Sequence, residues 1–71
     1  MMSLLIFESI HYVMIAEEIL KKGNIDYTLV SIPKALAPEC GMALKVSCEV
    51  KDTITRILEN EGIQPLKVFE H

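Results

Sequence analysis

The chain has 71 residues, 51% of them hydrophobic and 24% charged, with seven Lys+Arg against ten Asp+Glu and a formal charge of −3. One domain is expected over residues 1–71, burying about 60% of its unfolded surface and carrying about 4–10 kcal/mol of net stability. The apolar content excludes disorder, and an acidic pI near 5.2 with no basic cluster argues against nucleic acid as a partner.

Ser3–Glu8 reads as a strand whose consecutive Leu4, Leu5, Ile6 and Phe7 make both faces apolar. That run is too short to span a bilayer and lacks the basic flank of a signal peptide. Ser9 then offers an N-cap hydroxyl. From Ile10 to Lys22 the pattern is helical, with Tyr12, Val13, Ala16, Ile19 and Leu20 on one stripe. Glu17–Lys21 and Glu18–Lys22 are spaced as i,i+4 pairs in the favourable order. Gly23 is the expected left-handed residue at the helix end, supported by Asn24.

Asp26–Ile32 reads as a second strand, stopped by Pro33, which cannot donate a ladder hydrogen bond. Pro33-Lys34-Ala35-Leu36-Ala37-Pro38-Glu39-Cys40-Gly41 is irregular and stiffened by two prolines. Long loops of this kind in small domains are more often functional than decorative. Met42–Glu49 alternates, which sets Met42, Leu44, Val46 and Cys48 on one face and assigns Cys48 to the core. Val50–Glu61 is a second helix with Val50, Ile54, Ile57, Leu58 and the stem of Glu61 as its stripe, ended by Gly62. Gln64–Glu70 is the last strand.

The order β-α-β-β-α-β carries a faint internal echo. Ile19-Leu20-Lys21-Lys22-Gly23-Asn24-Ile25 parallels Ile57-Leu58-Glu59-Asn60-Glu61-Gly62-Ile63. Two such halves predict the α+β, ferredoxin-like βαββαβ sandwich: an antiparallel four-stranded sheet in the order 4-1-3-2, with both helices on one face. In this topology the loop between strands 2 and 3 lies at the same end as the turn from strand 1 into helix 1.

Cys40, one residue before Gly41, is the residue through which chemistry would run. The topology brings it toward the N-terminus of helix 1, where free N–H groups and about half a positive charge favour an anion. A thiolate there becomes a competent nucleophile. His11 and Lys34 add positive charge, Ser9 sits at the helix end, and Gly41 leaves room for close approach. The plain alternative is that Cys40 is a small buried hydrophobe, as free cysteines commonly are; the loop position, Pro38 and Gly41 weigh against it. Read without that site, Ser9 is a cap, and His11 and Lys34 are solvated. Two cysteines spaced Cys40-x7-Cys48 form neither a disulfide framework nor a CxxC site. No phosphate loop, carboxylate pair or metal-ligand cluster is evident, so no cofactor and no metal are expected.

On these residues the chain resembles the selenium/sulfur carrier-like proteins, a family of small bacterial proteins. The matching features are Phe7-Glu8-Ser9-Ile10-His11, Ala16-Glu17 with Leu20, Ile32-Pro33-Lys34 and, above all, Glu39-Cys40-Gly41-Met42-Ala43-Leu44. Lys34 stands where the family usually has Arg, and Ala37-Pro38-Glu39 replaces its serines. The resemblance implies a carrier of sulfur or selenium more than a classical enzyme, with Cys40 holding a persulfide or selenopersulfide. It implies a donor protein, such as a cysteine desulfurase, and an acceptor protein. The apolar first strand adds the expectation of a homodimer through the open sheet face. The expected location is the reducing cytosol, with no membrane partner. The competing reading is a non-catalytic interaction or small-ligand module on the same fold, and a redox-sensing thiol is a third.

Overall fold

The computed structural model describes residues 1–33, 35 and 41–70. Six elements follow one another: β1 Met2–Ile6, α1 Ile10–Lys22, β2 Thr28–Ser31, β3 Met42–Ser47, α2 Cys48–Asn60 and β4 Lys67–Glu70. The strands form one sheet in the order β2-β3-β1-β4, and every neighbouring pair is antiparallel. This is the expected 4-1-3-2 order read from the opposite edge, and the fold is the α+β ferredoxin-like one.

The central pair fixes both faces of the sheet. β1 and β3 are in register with Leu5 opposite Leu44 and Ser3 opposite Val46. Three contacts reach from this parity to the helices: Ser3 to Cys48, Tyr27 to Glu17, and Glu70 to Lys51. Residues of that parity therefore face the helices, and Leu4, Ile6, Val30, Ala43 and Phe69 lie on the opposite face. Leu5, Phe7, Leu44 and Val46 pack with Val13, Ala16 and Leu20 of α1 and Ile54 and Leu58 of α2 in one buried cluster. Truncating one wholly buried leucine to alanine costs about 2–5 kcal/mol. That is comparable with the whole net stability of a chain this size, so the core has no redundancy.

The edges are tied down by polar side chains. Tyr27 donates from Oη to Glu17 Oε2 at 2.7 Å, and the same carboxylate oxygen lies 3.9 Å from Lys21 Nζ. Loss of hydration around the ring, then the neighbouring carboxylate, push the Tyr27 phenol up to about 12. At the other edge Lys51 donates to Glu70 at 2.7 Å, and that carboxylate holds the lysine above its ordinary pKa.

Several expectations are corrected. Tyr12 and Val50 fall outside the buried stripes of their helices and are 39% and 37% exposed. Only the first of the two i,i+4 pairs of α1 is formed among the described residues. β2 is shorter at both ends than expected, and β4 starts at Lys67, after Pro65. β3 stops at Ser47, so Cys48 is not on the strand at all: it is the first residue of α2.

The left-handed residue that ends α1 is Asn24, with φ 55°, whereas Gly23 has φ −86°. At the end of α2 it is Gly62, with φ 79°. The internal echo explains the pairing. In each half the residue four after a buried leucine turns left-handed, and the next residue, an isoleucine, donates its N–H back to that leucine: Ile25 to Leu20 at 3.0 Å and Ile63 to Leu58 at 2.9 Å. The two glycines therefore differ in kind. Gly62→Ala forces a Cβ into the left-handed region and should cost about 1–2 kcal/mol. Gly23→Ala meets the Ile25 side chain at 3.4 Å and the Ile19 carbonyl at 3.6 Å, ordinary contact distances, and should stay within about 0.5 kcal/mol of the parent. Urea unfolding of the two variants measures the contrast, and equal losses would refute it.

Candidate functional site

Three chain segments meet at one end of the sheet. β1 leaves it at Ile6 and turns through Glu8 and Ser9 into α1. β3 begins there, with Ile6 paired to Ala43. The connection into β4 returns there as well, where Leu66 N donates to Ile6 O at 2.6 Å. The segment between β2 and β3 is anchored at this end by a hydrogen bond from Ile32 N to Gly41 O at 2.9 Å. Cys40 and Lys34 belong to that segment and lie outside the described residues.

Ser9 occupies the N-cap position of α1 with extended backbone, φ −152° and ψ 165°. Its carbonyl accepts from Tyr12 N at 3.2 Å and Val13 N at 3.3 Å, but its hydroxyl makes no capping bond. The first turn also carries no acidic residue. This helix end thus keeps the positive end of its dipole without a side-chain cap, and the exposed Glu8 stands one residue before the cap position. His11 is exposed, and its ring meets the Tyr12 ring edge-on at 5.8 Å between centroids. Gly41 is exposed, and a Cβ built on it meets nothing within 4 Å. Among the described residues, therefore, nothing in the packing demands glycine there.

The sequence reading missed a second arrangement, at the opposite end. Ser47 caps α2, its hydroxyl accepting from Glu49 N at 3.3 Å, and Cys48 follows as the first helical residue. Cys48 N donates to Met1 O at 3.2 Å, and Sγ lies 2.9 Å from Ser3 Oγ. Ser3 is the buried polar side chain of the core, wholly out of solvent, and the thiol is its hydrogen-bond partner. Cys48 is half-buried and free. The signal was present in Ser47 followed by an acidic Glu49, a cap and a first-turn carboxylate. The alternation from Met42 to Val46 masked it. Among the described residues no group of three or more His, Cys, Asp or Glu is placed to hold a metal. No described helix is long and apolar enough to cross a membrane.

These features define a small α+β domain of βαββαβ order whose first helix begins without a side-chain cap. The family described as "Putative Se/S carrier protein-like" matches residues 2–70, and the chain belongs to it. Comparison with curated proteins and with solved structures returned no match.

The Ser3–Cys48 pair makes a stability prediction. Cys48→Ala leaves a wholly buried hydroxyl without its partner and should cost about 1–3 kcal/mol. Adding Ser3→Ala should return part of that loss, so the double variant is less destabilised than the two single losses combined, by at least about 0.5 kcal/mol. A double-mutant cycle in urea reads this coupling. Simple additivity would show that the contact contributes nothing.

Proposed function

We propose that this protein is a chalcogen carrier whose working group is the Cys40 thiol. In the loading step the Cys40 thiolate attacks the outer sulfur of a donor persulfide. A new S–S bond forms to Cys40, the donor's S–S bond breaks, and the donor leaves as a thiolate. The step is a thiol exchange with no net oxidation. Delivery is the same exchange in reverse, with an acceptor nucleophile taking the outer atom; selenium follows the same arithmetic. Membership of the family over residues 2–70, a span that includes Cys40-Gly41, is the observation that carries this reading. The side-chain-uncapped end of α1 adds physical support, because a terminal persulfide anion needs a positive partner.

The partners in this reading are a donor protein, such as a cysteine desulfurase, and an acceptor. A homodimer through the sheet face bearing Leu4, Val30 and Phe69 belongs to the same proposal. On that face Ile6 and Ala43 are already wholly buried, so less apolar surface calls for a partner than the composition of β1 implies.

Intact mass after incubation with cysteine and a cysteine desulfurase tests the reading. The expected product gains one sulfur atom, lost again with thiol reductant. Cys40→Ser should abolish the gain and Cys48→Ser should retain it. Cys48 is a genuine competitor, since it sits at the N-terminus of α2; its engagement with buried Ser3 is what should keep it unlabelled. Equal labelling of both thiols would remove the assignment to Cys40. No labelling, with small-molecule persulfide donors also failing, would favour an interaction module.

A further inference from the structure

The first turn of α1 and the last turn of α2 lie side by side, because the helices run in opposite directions between the same two ends of the sheet. The connection from α2 to β4 closes the space between them. The result is an open cleft of about 580 Å³, lined by Glu8 and Tyr12 from the start of α1, Glu59 from the end of α2, and Ile63, Pro65 and Leu66 from the connection into β4. That volume lies in the range of sites that take a side chain or small ligand, about 300–1,000 Å³. Ile63 is buried, while Tyr12 and Leu66 are 39% and 64% exposed.

The charge of the cleft is one-sided. Glu8 and Glu59 are both exposed, and among the described residues neither has an ion-pair partner; the pairs formed there involve Glu17, Asp52 and Glu70. Among the described residues no lysine or arginine lines the cleft. Its described lining therefore offers two carboxylates without an ion pair, an aromatic ring and apolar side chains. A single chemical group complements all three. An arginine side chain presents a planar guanidinium to carboxylates and to a tyrosine ring, on an aliphatic stem that packs against leucine and proline. A lysine lacks the planar fork.

We infer that this cleft is the docking site for an arginine side chain of the carrier's partner protein. The inference rests on the carrier reading. The cleft opens at the end of the sheet where Gly41 and the segment bearing Cys40 are anchored, so a partner held by an arginine there presents its own reactive group at that end.

The test uses isotope-labelled full-length protein and N-acetyl-arginine amide as the probe, with the neutral isostere N-acetyl-citrulline amide as control. The arginine compound should shift amide resonances of Glu8, Tyr12, Glu59 and residues 62–66 in a saturable manner, in the millimolar range expected for one side chain. Citrulline should not, and Glu8→Gln with Glu59→Gln should weaken the response at least fivefold. Equal response to citrulline, shifts spread evenly over other exposed acids such as Asp26 and Asp52, or no shift at all would each overturn the proposal. Loading of Cys40 by a small-molecule persulfide, measured on the same double variant, separates the two ideas. It needs no docking, so its failure counts against the carrier reading and its survival leaves the cleft to be judged by the resonances alone.

Discussion

Leu5 stands opposite Leu44 in the central antiparallel pair, and this one register governs the geometry of the whole molecule. It sends Ser3, Leu5, Leu44 and Val46 toward the helices and leaves Leu4, Ile6 and Ala43 on the other face. A slip of one residue would exchange the two sets. It also decides which loops share an end. With Ile6 against Ala43, the exit of β1, the start of β3 and the return into β4 all gather at one edge of the sheet. The uncapped end of α1 and the acidic cleft follow from that gathering, as does the anchoring of the segment that carries Cys40.

Cys48 is part of the fold: it starts α2, its backbone holds Met1, and its sulfur satisfies a hydroxyl that would otherwise be buried without a partner. Chemistry at that sulfur would break a core hydrogen bond. Gly41 is exposed, and no described residue beyond its chain neighbours lies within 4 Å of where its side chain would be. In the proposed carrier role, loading and unloading one atom without unfolding would favour a reactive thiol other than the structural Cys48. At about 4–10 kcal/mol of total stability, little could be spared for a working group buried in the core.

The element order, the sheet topology and most of the core were legible in the sequence, because periodicity and turn residues at Gly23-Asn24 and Gly62 carry that information directly. The errors came where two local signals overlapped. Cys48 continued the alternation of Met42, Leu44 and Val46, yet Ser47 had already capped a helix. Gly23 and Asn24 are both tolerant of the left-handed region, and only their distance from Leu20, compared with Gly62 and Leu58, tells them apart. The cleft had no sequence signature. Glu8 and Glu59 are far apart in the chain and line one cleft only because the helices run antiparallel.

The central claim is that the end of α1 makes Cys40 a thiolate. Its most direct test is the rate of alkylation against pH in Cys48→Ser, with and without Ser9→Asp. The account predicts a midpoint well below the ordinary free-thiol value of about 8.5. It further predicts that the carboxylate of Ser9→Asp, placed on the same helix end, moves the midpoint up. A midpoint at about 8.5 that Ser9→Asp leaves unchanged would contradict it.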